Sequence, residues 1–256
     1  MSTNTGPVAI KNVAAFMIMA TRLIERAPHL PGFGVCHSPS GYGKTYASIF
    51  AQNKLRAARV EVGDSWSRRT LLHNILREFR ISARESARLD KLCELAIAAL
   101  GDDPRRPLII DEADKLVDKH MIETVRELQE KSGAPVILIG EERLPTKLLQ
   151  VERMHNRVLS WFAAQPCDID DARQFAKVYV PKVAIADDLL QAICVNSGGK
   201  ARRIVVNLDT ASEIARNQNL TKLTLAHWGD QKFYTGEPPP PRPAEDFKHI
   251  SAKGAA

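Results

Sequence analysis

Apolar positions along the chain fall into two alternating kinds of segment. Val13 to Arg26 carries its apolar residues at helical spacing until Pro28 and Pro31 stop it. A short apolar run, Phe33 to Cys36, then leads through a Gly/Ser turn into a helix starting near Lys44. Ala58 to Val62 reads as a strand, with helical patterns from about Arg69 to Phe79 and from about Arg88 to Leu100. Pro107 to Ile110 is wholly apolar and ends in acids, and Ala134 to Ile139 is a second such run after the helix Ile122 to Lys131. Continuous apolar strands separated by helices are buried on both faces, which predicts a parallel sheet covered by helical layers.

After Pro166 the pattern changes: Asp170 to Tyr179, Asp187 to Val195, Arg202 to Arg216 and Thr221 to Trp228 all read as helices, with no strand between them. The expected division is an α/β core over 1–180, including a first helix at 8–27, a small all-helical lid over 181–232, and a Pro-rich tail over 233–256 that contains PPPPRP and is extended or disordered. A chain of 256 residues has room for this arrangement. No apolar run approaches the roughly 18 residues of a membrane span, which predicts a protein with no membrane partner. The 8-residue run Val13 to Ala20 passes straight into Thr21 and Arg22, unlike a signal peptide.

Four widely spaced cysteines (Cys36, Cys93, Cys167 and Cys194), with no CxxC pair, fit reduced core residues in a cytoplasmic protein. The formal charge is +6, and the residues from Gly236 onward contribute none of it, so the excess sits in the folded part and favours a polyanionic partner.

The strongest chemical signal is Ser38-Pro39-Ser40-Gly41-Tyr42-Gly43-Lys44-Thr45, set between a predicted strand and a predicted helix. In a phosphate-binding P-loop the glycines turn backbone N–H groups toward phosphate, the helix N-terminus adds partial positive charge, and the lysine reaches the β and γ phosphates. Ser38 to Tyr46 are the expected ATP contacts, with Ser38 standing where a first glycine is usual, and the Thr45 hydroxyl is a candidate Mg²⁺ ligand. The run Leu108-Ile109-Ile110-Asp111-Glu112-Ala113-Asp114 supplies the second motif. Asp111 suits the metal site, and Glu112 suits the base that polarises an attacking water.

With these two motifs the chain resembles the AAA+ ATPases. The resemblance places Glu141, after the strand Val136 to Ile139, at the sensor 1 position, where a neutral residue is usual. It makes Arg157, or failing it Arg153, in Glu152-Arg153-Met154-His155-Asn156-Arg157-Val158 the arginine finger offered to a neighbouring subunit. It also makes Arg202, in Gly198-Gly199-Lys200-Ala201-Arg202-Arg203, the sensor 2 residue. Taken singly, each of these arginines could equally be half of a surface ion pair.

Within that family, SGYGKT, LIIDEADKL, PVILIGEERL and ERMHNRV together look most like the transposition ATPases of the MuB, TniB and TnsC group. This resemblance implies ATP-dependent filaments of the protein on duplex DNA, recruitment of a transposase, and slow hydrolysis that dissolves the assembly. A helicase loader or replication-initiator-like ATPase, and a non-hydrolysing ATP-bound DNA scaffold, are the alternatives. With 37 residues before Ser38, DNA contact is expected from the core itself. The candidates are Trp66, Arg68 and Arg69 after the second strand, and Lys115, Lys119 and His120 after the acidic strand, acting on phosphates rather than bases. Arg68 and Arg69 could instead be a solvated helix start, and Trp66 a core anchor.

Overall fold

The computed structural model describes residues 10–238, and the apolar runs of the sequence emerge in it as strands. In chain order the elements are α1 (Lys11–Ile24), β1 (Phe33–His37), α2 (Lys44–Leu55), β2 (Ala58–Glu61), α3 (Arg68–Glu78), α4 (Leu89–Gly101), β3 (Leu108–Asp111), α5 (Asp114–Asp118), α6 (Ile122–Ser132), β4 (Val136–Gly140), α7 (Leu144–Leu149), α8 (Glu152–His155), β5 (Val158–Ala163), α9 (Ile169–Tyr179), β6 (Ala184–Ile185), α10 (Asp187–Asn196), α11 (Ala201–Asn217), β7 (Lys222–Leu223) and α12 (Leu225–Trp228). Five strands form one parallel sheet in the order β2-β3-β4-β1-β5. The helix-covered parallel sheet predicted from the apolar runs is present, and the motif read as a P-loop lies between β1 and α2.

Alternation within those runs sorts side chains to the two faces. Phe33, Val35, Leu108, Ile110, Val136 and Leu138 pack with apolar residues of α3, α4 and α6. Cys36, Ile109, Ile137 and Ile139 face the other way, into a core shared with α1, α2 and the helices α9 to α11. The sheet and the C-terminal helices are therefore joined through one apolar cluster. Polar ties reinforce it: the Lys11 backbone N–H donates to Asp171 Oδ1 at 2.9 Å and Lys11 Nζ to Asp168 Oδ2 at 2.8 Å, fixing the start of α1 to the start of α9.

Three sequence expectations need correction. The apolar pattern does not mark the fifth strand, β5, because Val158–Ala163 is an edge strand whose residues are only partly buried and whose apolar run is broken by Ser160. The C-terminal helical region contains strands after all: β6 and β7 pair in parallel, with Ala184 N–H donating to the Thr221 carbonyl at 2.9 Å. Two-residue strands leave no periodicity to read. For the same reason the helix expected over Thr221 to Trp228 shrinks to Leu225–Trp228, capped by Thr224.

At the C-terminal end, Phe233 stacks on Trp228 with ring centroids 4.6 Å apart, and Tyr234 exchanges backbone bonds with the Asn207 side chain at 2.7 and 3.1 Å. Most of the PPPPRP segment lies outside the described residues. Among the described residues no helix is long and apolar enough to cross a membrane, and the four cysteines are free, three of them buried.

Candidate functional site

β1 ends at His37 and the chain turns through a buried Ser38 into a loop that needs two left-handed residues, Gly41 at φ 97° and Gly43 at φ 84°. Gly43 is also the N-cap of α2, so the loop delivers its main chain to a helix N-terminus. Lys44 lies across the loop: its ammonium donates to the Ser38 carbonyl at 2.7 Å, to the Pro39 carbonyl at 3.0 Å and to Ser38 Oγ at 3.0 Å. The hydroxyl that replaces the usual glycine is thus integrated, donating in turn to the Pro39 carbonyl. Burial drives the Lys44 pKa below the ordinary lysine value, against the pull of Cys36, Asp111, Glu141 and Glu112. Tyr46 meets Phe175 edge-on, and burial pushes its hydroxyl up to about 12.

Two carbonyls of this loop are held from behind, one of them by a residue that sequence reading passes over. Asn12, buried in α1, donates to the Tyr42 carbonyl at 2.9 Å and the Gln165 carbonyl at 2.7 Å, and its Oδ1 accepts from Gln165 N–H at 3.0 Å. At the other side the Ala201 N–H, the first of α11, donates to the Gly41 carbonyl at 2.8 Å. Lys200 packs so closely that a Cβ on Gly41 would come within 3.3 Å of its side chain. A lone Asn in an apolar helix is the only available hint. Arg202 follows directly, exposed in the first turn of α11.

β3 carries the acids to the same end of the sheet. Asp111 is buried, its Oδ1 accepting from Glu112 N–H at 3.0 Å and its Oδ2 paired with Arg59 at 2.7 Å. Glu112 has φ 58°, a left-handed conformation that costs a non-glycine residue of order 1 kcal/mol and recurs at functional sites. Burial raises its pKa, opposed by Lys115, with Asp111 and Glu141 raising it further. Glu141 follows β4, its N–H held by Asp114 Oδ2 at 2.7 Å. Its exposed carboxylate acts on both Lys44 and Glu112. The structure therefore brings the loop Ser38 to Thr45, Asp111, Glu112 and Glu141 to one end of the sheet, while for Arg202 it shows only an exposed position two residues beyond the Lys200 that packs on Gly41. Among the described residues no group of three or more His, Cys, Asp or Glu could hold a metal by itself. The Thr45 hydroxyl and Asp111, the donors expected from the sequence, are oxygen ligands of the kind that suits a cation taking its other ligands from phosphate and water, as Mg²⁺ does.

Arg157 lies elsewhere. Its carbonyl accepts from Phe33 N–H at 3.1 Å, at the start of β1, so roughly four residues of strand, about 13 Å, separate it from the P-loop of its own chain. Its guanidinium meets Glu130 of α6 at 2.5 Å, and Glu130 also pairs with Arg126. Although burial works against it, these two arginines hold Glu130 below the usual carboxylate range. Arg153, exposed in α8, has no ion pair among the described residues.

The two segments nominated for DNA contact form one surface. Lys115 pairs with Asp64 at 3.2 Å and with Glu112 at 3.7 Å, Lys119 Nζ donates to the Asp64 carbonyl, and Arg68 donates to the His120 carbonyl at 2.8 Å. Arg69 donates to the carbonyls of Glu85 and Ala87, and it lines a cleft of about 720 Å³ with His73, Arg77 and Arg80. Trp66 is half-buried against the α3 side of the core, its ring over Gly63.

Comparison with known proteins agrees with this geometry. Residues 27–148 match the family described as AAA domain. The chain is 29% identical over 195 residues to the replication factor C small subunit of Thermofilum pendens, covering 75% of this chain and 55% of that protein. Among solved structures, ORC2 of Aeropyrum pernix (ADPNP-ADP complexes) matches with a TM-score of 0.67 at 15% identity, over 88% of this chain and 68% of that one. Cdc6p of Pyrobaculum aerophilum gives 0.62 at 15% identity over 86% and 66%. ORC1 of A. pernix in complex with DNA gives 0.60 at 13% identity over 86% and 64%. The chain spans just over half the length of its curated relative. Residues 27–148 thus resemble an AAA domain, and the parallel sheet with a P-loop after β1 and paired acids after β3 has the P-loop AAA+ fold shared with the ORC and Cdc6 structures.

Proposed function

We propose that the protein is an ATP-hydrolysing switch that engages DNA, of the replication-initiator and loader kind. The observation that carries this is the meeting of Lys44, Thr45, Asp111 and Glu112 at one mouth whose loop is hydrogen-bonded to α11. The backbone N–H groups at the start of α2 and the Lys44 ammonium bind the β and γ phosphates, releasing Lys44 from the Ser38 and Pro39 carbonyls. Thr45 and Asp111 hold Mg²⁺, which neutralises phosphate charge when bound. Glu112 takes the proton of the attacking water, with Glu141 beside it, and Arg202 meets the γ phosphate from the helical region. Arg157 or Arg153 serves the site of a neighbouring copy. The likeness to replication factor C and to ORC1, a structure solved with DNA, supports a role at DNA, for which Trp66, Arg68, Arg69, Lys115 and Lys119 are the proposed phosphate-facing residues.

A second reading, an ATP-dependent regulator of transposition that assembles on target DNA and recruits a transposase, draws on the motif set SGYGKT, LIIDEADKL and ERMHNRV. The relatives lend more support to the initiator and loader reading. Phosphate release with and without duplex DNA, the parent beside Lys44→Ala, tests the common core. The substitution deletes the charge that meets the phosphates, so turnover and ATP-dependent DNA association should both vanish while the fold survives. ATP-dependent association that persists in Lys44→Ala refutes the P-loop assignment. Electron microscopy with ATP and duplex DNA separates filaments, expected for the transposition reading, from closed or open rings.

A further inference from the structure

Beside the acids of β3 lies a cation for which the nucleotide reading has no role. Arg59, on β2, keeps only 13% of its side chain exposed, and a guanidinium so buried persists only where its charge and donors are met. The register sets Arg59 opposite Ile109 and Glu61 opposite Asp111, so Arg59 and Asp111 are diagonal neighbours on one face, within reach of a long side chain. One terminal nitrogen donates to Asp111 Oδ2 at 2.7 Å, and Nε donates to Ser48 Oγ at 2.8 Å. Ser48 Oγ in turn donates to the Thr45 carbonyl at 2.7 Å, and Asp111 Oδ1 accepts the Glu112 N–H at 3.0 Å. Arg59 is therefore the hub of a hydrogen-bonded chain that runs from the backbone of one candidate cation ligand, through the other, to the backbone of the candidate base. Glu61, 3.4 Å away and mostly exposed, offsets little of its charge.

We infer that Arg59 is a positioning residue that sets how strongly the Thr45–Asp111 site attracts its divalent cation, holding the Asp111 carboxylate in place while partly neutralising it. The inference rests on the nucleotide reading above. Removing the guanidinium has two effects of opposite sign. The carboxylate regains its full charge, so a divalent cation is drawn more strongly. It also loses its anchor, and the main chain of Glu112 loosens with it. Tighter cation binding with slower turnover is the expected signature, whereas a purely structural contribution would weaken both together.

The test uses the full chain, a fluorescent ATP analogue titrated in EDTA and then with Mg²⁺, and turnover measured alongside. For Arg59→Met, affinity in EDTA should stay within about twofold of the parent, the half-saturating Mg²⁺ concentration should fall about tenfold, and kcat should fall by a similar factor. Arg59→Lys keeps the charge but lacks the fork that reaches Asp111 and Ser48 together, so its Mg²⁺ requirement should stay within about threefold of the parent while kcat falls. An unchanged or raised Mg²⁺ requirement in Arg59→Met, or a tenfold fall in Arg59→Lys, overturns the assignment. The lysine variant decides alone if the methionine variant shows no cooperative melt. A parent that binds the analogue in neither EDTA nor Mg²⁺ overturns the P-loop reading itself, a result distinct from binding that is indifferent to Arg59.

Discussion

At the scale of single residues, the site is set by groups whose surroundings shift their titration or restrict their conformation. Glu112 is the clearest case. Its carboxyl is raised by burial above the ordinary glutamate value, and the base proposed here works only when ionised, so hydrolysis should fail on acidification at a pH above the usual glutamate value of 4.5. Glu112→Gln should retain nucleotide and trap DNA-bound assemblies while turnover drops; a variant with parental turnover would move the base to Glu141 or Asp114. Gly140 is fixed for a different reason. A Cβ there would run into the Asp114 carboxylate and Leu144, so Gly140→Ala should cost about 1–3 kcal/mol by thermal unfolding and displace the Asp114 bond to Glu141 N–H. A variant as stable as the parent would show that the Asp114 side chain moves aside freely.

Among the elements, β5 and α6 decide what Arg157 can do. Parallel pairing of β5 with β1 puts Arg157 at the end of the sheet remote from its own P-loop, so the proposed role in hydrolysis has to be played at the site of another copy. Arg157→Ala should leave the affinity of the isolated chain for ATP near the parental value and lower assembly-dependent turnover by roughly 10³ to 10⁵. The loss should appear as a changed dependence on protein concentration. Normal rates transfer the role to Arg153, and normal rates in both variants exclude a shared site. The pairing of Arg157 with Glu130 has no sequence signature, because a salt bridge between α6 and the start of β5 depends on the sheet order. The central strands are legible because they are continuously apolar over Pro107 to Ile110 and Ala134 to Ile139. β5 is not, since an edge strand buries only part of each residue, and β6 and β7 are too short to show a period. Nucleotide-site residues that follow strands are legible from local order. Asn12 and Arg59 stay hidden because they reach the site from elements distant in sequence.

For the whole molecule, the surface charge and the joining of sheet to C-terminal helices matter most. The loops before α3 and after α5 are knitted together through Asp64, His120, Lys119 and Arg68 into one surface that carries these cations beside the Asp64 carboxylate. Replacing Arg68 and Arg69 with Ala should weaken duplex binding about equally across unrelated sequences and lower the log-log salt slope by about 0.9 for each phosphate left without its cation. Nucleotide affinity without DNA should not change. Parental affinity and slope in the double variant would shift attention to Lys115 and Lys119, or to the arginines of the neighbouring cleft. The bond from Ala201 N–H to the Gly41 carbonyl has a wider effect. It joins main chain to main chain, so it does not depend on the Ala201 side chain. Thermodynamic reciprocity then applies: if nucleotide biases the position of α11 by some factor, whatever restrains α11 from outside alters nucleotide affinity by the same factor. A partner gripping the helical region would thereby act as an exchange factor or a brake on exchange, according to the helix position it prefers, without approaching the phosphates.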